Sequence, residues 1–427
     1  MTPLEHLYAL ALLPRAASLG PMLRALAALE RLPTRELEHA QRARADELLE
    51  HARRTTGFYA DAPARFEDLP PLSRATVQAR ASALASRAVP PEHRAVREAH
   101  SSGSTGTPVT VPVGAVADAI LGALSMRDHG WHRRDLRAKA ASIRASPDLR
   151  ADAKWSLHPQ GGPLVSLGMN ATVREQLAWL EREAPAYLVT YASNAAALVE
   201  EAAEQGVALP SLRELGTFGE TLPLELRETA RRVWSVPVVD AYSSAEVGFI
   251  ALECPEHAHY HVQAENVLVE VVRDDGTACE TGETGRVLVT PLHSFPMPLL
   301  RYELGDFATV GGPCPTGLGL PVIERIVGRS RNMLTLPNGE RSWPRFGSNL
   351  LGKLAPIRQF RMVQRGPEAM TLELVSERLT PELEARVRAL VLELLGYPFE
   401  LTFEYRTELP RSPGGKFEDF VALPRQP

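Results

Sequence analysis

Residues 101–108 read Ser-Ser-Gly-Ser-Thr-Gly-Thr-Pro, and an apolar run follows at 109–113. Glycine turns where other residues clash, and it lets main-chain N–H groups come close to a ligand. Successive N–H groups with hydroxyls between them form a concavity suited to an anion, above all a phosphate. A Walker loop needs lysine directly after its last glycine, and here Gly106 is followed by Thr107. The stretch is therefore a phosphate-loop candidate without that lysine, its ligands Ser101, Ser102, Gly103, Ser104, Thr105 and Gly106. Taken alone it also reads as a solvated linker, so the rest of the chain has to decide.

A chain of 427 residues has room for two or three domains. A net charge of −5 gives no broad attraction to nucleic acid or to an anionic membrane, so neither is expected as a partner. The three cysteines, Cys254, Cys279 and Cys314, are too few and scattered for a disulfide framework, which points to a reducing cytoplasm. Lysine occurs only at Lys139, Lys154, Lys353 and Lys416. Arginine serves wherever a generic positive charge will do, so a lysine inside the glycine loop at 413–416 stands out.

Residues 1–98 read as helices separated by prolines, with Thr34 the expected N-cap of a helix at 35–54. Further helices are expected at 115–127, 171–183 (N-cap Thr172), 193–205 (ending at Gly206) and 224–233. Short apolar strands at 186–191, 215–218 and 236–240 alternate with them, which predicts an α/β sheet with crossover helices. The segment 137–150 is ambiguous. Ligands of open α/β sheets bind where strands end. The turn Phe218-Gly219-Glu220-Thr221 and the loop Ala241-Tyr242-Ser243-Ser244-Ala245-Glu246 are therefore candidate site segments. From 262 onward, β-branched alternation at 267–272, 285–290 and 307–310 predicts a smaller β-rich part. A polar stretch at 328–332 reads as a hinge, and 333–427 as a small α+β domain.

Five segments in this order resemble the adenylate-forming superfamily: SSGSTGTP, the FGE turn, YSSAEVG, PLLRYELGD with the VGR after it, and the terminal PGGK. Chain length and detail look most like the phenylacetate–CoA ligase branch. The resemblance covers 100–420 and implies a large N-terminal adenylation domain with layered α/β sheets and a β subdomain. That domain takes 1–328, with 1–98 a helical lead-in and 262–328 the β-rich part. A hinge at 329–332 and a mobile C-terminal α+β lid at 333–427 follow.

The implied activity is that of an aryl-CoA ligase using ATP, Mg²⁺ and CoA, which forms an aryl-AMP and then an aryl thioester. Acceptance by a carrier-protein thiol or an amine, and a decayed nucleotide-binding homologue, stay open beside it. The partners are then small molecules, the aryl carboxylate with ATP and CoA, and the chain works alone or as a homodimer.

By the same resemblance Lys416, Glu246 and Thr105 are catalytic, with Glu246 also the Mg²⁺ ligand. The nucleotide falls to Ser101 through Gly106, to Gly219, Glu220 and Thr221, and to Ala241, Tyr242, Ser243, Asp306 and Arg329. Tyr191, Phe218, Gly219, Ala241 and Tyr242 line the acyl pocket. The chain departs from the pattern at Thr107, where relatives often carry lysine, and at Asn332, where the hinge usually carries aspartate.

Cys254, His257, His259 and His261 crowd one thiol and three imidazoles into eight residues, a donor set that suits tetrahedral zinc. Related ligases show Cys-x6-His followed by Cys-x-Cys. Cys254, His261 and Cys314 fit that pattern, but Thr316 stands where the last thiolate is expected. Either His257 or His259 substitutes for it, or the site has decayed.

Overall fold

The structure is a computed structural model, and it describes all residues except 1–2, 102–107, 149, 151–152, 224, 330–331, 345–350, 353, 410, 413–414 and 423–427. Helices α1 (Pro3–Ala11), α2 (Arg15–Leu29), α3 (Thr34–Thr55) and α4 (Arg74–Leu84) lead the chain. A two-stranded antiparallel hairpin of β1 (Ala95–His100) and β2 (Thr110–Gly114) follows them. The Ser/Gly stretch is the connection of that hairpin. Thr34 does not cap α3: Pro33 holds that place, and the Thr34 hydroxyl instead donates to the carbonyl of Gly319, 2.9 Å away. A long-range acceptor has won over the local one.

After α5 (Ala115–Trp131) the chain alternates as the apolar periods predict. It runs through β3 (Ala140–Arg144), β4 (Leu164–Gly168), α6 (Val173–Glu183), β5 (Tyr187–Tyr191), α7 (Ala192–Gln205), β6 (Glu214–Phe218), α8 (Leu226–Trp234) and β7 (Val238–Ser244). Thr172 and Glu175 close a capping box on α6, and Gly206 ends α7 in the left-handed conformation. The ambiguous 137–150 segment resolves into β3. These five strands pair in parallel in the order β4-β3-β5-β6-β7. Leu188 and Leu215 are fully buried beneath crossover helices that contribute Leu177, Leu180, Leu198 and Ala230 to the same core.

Two expectations change here. The segment 241–248 is not an open loop, because β7 runs on to Ser244 and turns straight into β8 (Gly248–Glu253) as an antiparallel hairpin. The β-rich part is also continuous with the parallel strands. β9 (Tyr260–Val262), β10 (Val267–Val272), β11 (Thr284–Pro291), β12 (Tyr302–Val310) and β13 (Val322–Arg329) extend the same sheet to eleven strands. The three-residue β9 stitches the halves together by pairing with β8 on one side and β13 on the other.

The chain then forms a two-residue pair, β14 (Leu334–Thr335) with β15 (Arg341–Ser342). A separate four-stranded sheet follows from β16 (Gln359–Gln364), β17 (Ala369–Val375), β18 (Glu400–Tyr405) and β19 (Phe420–Ala422). Helix α9 (Pro381–Leu395) packs on it through Val387, Val391 and Leu395, one turn apart on one face. Among the described residues, no helix is long and apolar enough to cross a membrane.

Candidate active site

The carboxyl ends of the parallel strands converge on one place. Tyr191 ends β5 and Phe218 ends β6, their ring centroids 4.9 Å apart at 40°. Arg144, the last residue of β3, lays its guanidinium over Phe218 at 5.2 Å and donates from Nε to the Ser142 hydroxyl at 2.6 Å. Directly after Phe218 the backbone turns at Gly219 with φ +75°.

Onto this floor comes the loop before β19. Gly415 adopts φ +78°, and a Cβ there would meet Ala145 Cβ at 3.1 Å and Tyr191 Cε2 at 3.2 Å. Only glycine lets the loop sit this close. The side chain of Lys416 crosses Gly219, whose added Cβ would meet Lys416 Cε and Nζ at 3.3 Å each. Glu220 ties the loop down: its carboxylate accepts from the Phe417 N–H at 2.8 Å and from the Ser193 N–H at 2.7 Å. Arg411 donates to the Ser193 hydroxyl at 3.0 Å and to the Gly415 carbonyl at 3.1 Å. Burial, with the Arg329 guanidinium adding to it, pushes the Lys416 ammonium down to about 8.

A second cluster lies on the antiparallel side. The hydroxyl of buried Tyr242 donates to Asp306 Oδ2 at 2.9 Å, while Arg329 Nε donates to Oδ1 at 3.1 Å. Asp306 and Arg329 are register partners on β12 and β13, so the sheet itself pairs them. Burial first, and then the adjacent Asp306 carboxylate, holds the Tyr242 hydroxyl protonated. Glu246, its side chain only 4% exposed, takes Arg74 Nη1 at 2.9 Å and the Tyr302 hydroxyl at 3.4 Å on one carboxylate oxygen. Its other oxygen fits the single carboxylate that Mg²⁺ uses alongside substrate phosphates. Asp306, Glu220 and Glu246 all act on Lys416 electrostatically, so the two clusters form one charged site.

Ser101 closes the base of the Ser/Gly connection. Its hydroxyl accepts from the Val109 N–H at 2.7 Å and from Arg74 Nη2 at 2.6 Å. Ser102, Gly103, Ser104, Thr105 and Gly106 lie outside the described residues, as do Pro413 and Gly414 of the terminal motif. Ala241 and Ser243 stand on β7 on either side of Tyr242, and Thr221 is exposed in the turn after Glu220. Sequence reasoning missed Arg74, which reaches the site from the lead-in helix α4. It also missed Arg144 and Arg411. The terminal motif could have flagged Arg411; no local pattern marks the other two.

Apart from this site, one ligand atom from each of Cys254, His259, His261 and Cys314 lies within 4.8 Å of the others. The fourth donor is thus His259. His257 only stacks against it, centroids 5.5 Å apart. The two sulfurs are 3.9 Å apart, and among the described residues His259 Nε2 and the His261 ring nitrogens have no partner that meets hydrogen-bond geometry. Orphaned buried nitrogens facing two thiols fit a tetrahedral Cys₂His₂ zinc site. Tyr260, between the two histidines, donates its hydroxyl at 2.8 Å to buried Asp240, which also accepts from Thr217 at 2.6 Å. That bond joins the hairpin of His259 and His261 to β7, two residues before Tyr242.

No protein-family model and no curated protein sequence matches the chain. Solved structures do share its fold. A 2-hydroxyisobutyryl-CoA ligase in the postadenylation state aligns with a TM-score of 0.71 at 17% identity, over 92% of this chain and 91% of that one. The same ligase in the thioesterification state, in complex with its adenylate and CoA, gives 0.59 at 17% identity over 92% of this chain and 91% of that one. The anthranilate CoA ligase AuaEII in complex with anthranoyl-AMP gives 0.55 at 18% identity, over 75% of this chain and 65% of that one. The fold is that of the adenylate-forming CoA ligases.

Proposed function

We propose that this chain is an ATP-dependent, AMP-forming acid–thiol ligase that activates an aromatic carboxylate and transfers it to CoA. The observation that carries this reading is the seat of Lys416. A lysine from the C-terminal loop reaches across Gly219, between the Tyr191–Phe218 pocket and the Asp306–Glu246 carboxylates.

In the first step a carboxylate oxygen of the acid attacks the α-phosphorus of ATP, the bond to the bridging oxygen breaks, and pyrophosphate leaves. Bringing those anions together demands neutralisation and positioning more than covalent chemistry. Lys416 bridges carboxylate and α-phosphate, Asp306 accepts from the ribose hydroxyls, and Tyr242 with its β7 neighbours borders adenine. Residues 101–106 cradle the outer phosphates, with Arg74 fixing the base of that loop. Glu246 would hold Mg²⁺, which when bound neutralises phosphate charge. In the second step the CoA thiolate attacks the acyl carbonyl, the bond to the phosphate oxygen breaks, and AMP leaves. Residues 333–427 act as a lid that turns about 329–332 on the domain 1–328 and withdraws Lys416 for this step. Cys254, His259, His261 and Cys314 would hold a structural zinc.

The likeness to an anthranilate CoA ligase supports an aromatic acid, and the likeness to a 2-hydroxyisobutyryl-CoA ligase makes short hydroxy acids the necessary control. The test is AMP and thioester release with ATP, Mg²⁺ and CoA across both acid classes. AMP and thioester formed in equal amounts with an aromatic acid is the expected result. Exchange of pyrophosphate without thioester would move the acceptor to a carrier thiol or an amine, and turnover of hydroxy acids alone would overturn the aromatic assignment.

A further inference from the structure

Three partly buried cations surround Tyr191, and the reaction above uses only one. Lys416 serves the reacting carboxylate. Arg411 is spent on the loop, through the Ser193 hydroxyl and the Gly415 carbonyl. Arg144 remains. Among the described residues its one side-chain hydrogen bond runs from Nε to Ser142, and neither terminal nitrogen has a carboxylate partner. The acidic groups nearby are already committed. Asp148 is forked by Arg150 at 2.7 to 3.2 Å, and both oxygens of Glu220 accept backbone N–H groups. Arg144 is half-buried, and burial pushes its guanidinium down from its ordinary range, against the opposing pull of Tyr191 and Asp148. The Phe218 face offsets part of that cost. A cleft of about 520 Å³ begins at the next residue, Ala145, and is lined further by Gly168, Met169, Asn170, Arg411 and Gly415.

We propose that Arg144 is a specificity residue, and that the acid this enzyme activates carries a second carboxylate, which the two terminal guanidinium nitrogens of Arg144 hold beside the Phe218 ring. This rests on the ligase reading. An arginine fork matches a carboxylate in plane and spacing, two parallel N–H···O bonds taking the place of water. The reacting carboxylate meets Lys416 while the second is fixed by Arg144, so the acid enters in one orientation. An acid without the second group covers the guanidinium without giving its terminal nitrogens a partner, which is how a polar pocket rejects a merely apolar analogue.

The test measures acid-dependent ATP–pyrophosphate exchange with the three benzenedicarboxylates, each against the toluate that places a methyl where the second carboxylate stands. The expected wild-type result is a kcat/KM for one dicarboxylate about 100-fold above its matched toluate. In Arg144→Met that ratio collapses towards one, and Arg144→Lys restores part of it. A folding defect would lower both acids together and leave the ratio unmoved. Exchange with toluates at a ratio near one in the wild-type enzyme overturns the proposal and leaves the ligase reading standing. An unchanged dicarboxylate ratio in Arg144→Met does the same. Exchange with no acid of either kind overturns both.

Discussion

The hydroxyl of Tyr242 and the carboxylate of Asp306 are joined by a 2.9 Å hydrogen bond across strands that are not neighbours in the sheet. With Arg329 on the other oxygen, the carboxylate is held from both sides before any nucleotide arrives. Asp306→Ala leaves the buried Tyr242 hydroxyl without its acceptor and takes one carboxylate from Arg329, at a cost of about 2 kcal/mol in stability. Its KM for ATP should rise steeply. Tyr242→Phe removes one bond and no charge, at a cost of about 1 kcal/mol, and it leaves Asp306 free for a ribose, so the ATP KM should stay near wild type. Denaturant titration and ATP kinetics on both variants check this; equal damage to ATP binding would remove Asp306 from its assigned role.

Gly219 lies beneath Lys416 at φ +75°. In Gly219→Ala the left-handed backbone costs about 1 kcal/mol. The new methyl, 3.3 Å from both Lys416 Cε and Nζ, also pushes the ammonium off its seat. A misplacement of about 1 Å can cost about 100-fold in rate, and a shift of a few tenths of an ångström a part of that. Pyrophosphate exchange should fall by about 10-fold, while conversion of a supplied aryl-adenylate to thioester falls far less, because that step is proposed not to use Lys416. Equal loss in the two half-reactions would contradict the two-state lid.

The same lysine sets the pH dependence. Burial, with Arg329 beside it, brings its pKa down to about 8, so the cation that must meet two anions is lost as pH rises through that value. The kcat/KM of adenylation reports the free enzyme, and it should be flat below about 8 and decline above it, following the sign of the shift. Lys416→Arg, slower overall, should keep its charge and show no such limb. A decline that persists in Lys416→Arg would assign it to another group.

How much of this was legible in the sequence depended on the range of the cause. Tyr191 and Phe218 could be placed at strand ends because β5 and β6 are apolar runs closed by a helix start and a glycine. The capping box on α6 and the glycine that stops α7 are local chemistry and read directly. Thr34 misled because its hydroxyl found Gly319 instead of its own helix. The single eleven-stranded sheet was hidden because a three-residue strand, β9, makes the join through partners in β8 and β13. Arg74 was invisible for the same reason: its partners Ser101 and Glu246 lie 27 and 172 residues away. Spacing alone also left His257 and His259 equivalent, and only the fold of the hairpin separates them.

That separation gives the last prediction. If Cys254, His259, His261 and Cys314 hold a metal, protein purified without a histidine tag should carry about one zinc per chain, the closed four-ligand set of a structural site. His259→Ala removes a ligand and should lose the metal, whereas His257→Ala, which only stacks on the cluster, should keep it. Because Tyr260 bonds Asp240 on β7, zinc loss should loosen the strand that carries Tyr242. His259→Ala should therefore lose thermal stability and raise the KM for ATP, although no zinc ligand touches the nucleotide. Metal analysis and melting curves on the two variants decide it. Zinc absent from the wild-type chain, or kept in His259→Ala and lost in His257→Ala, would reject the ligand set.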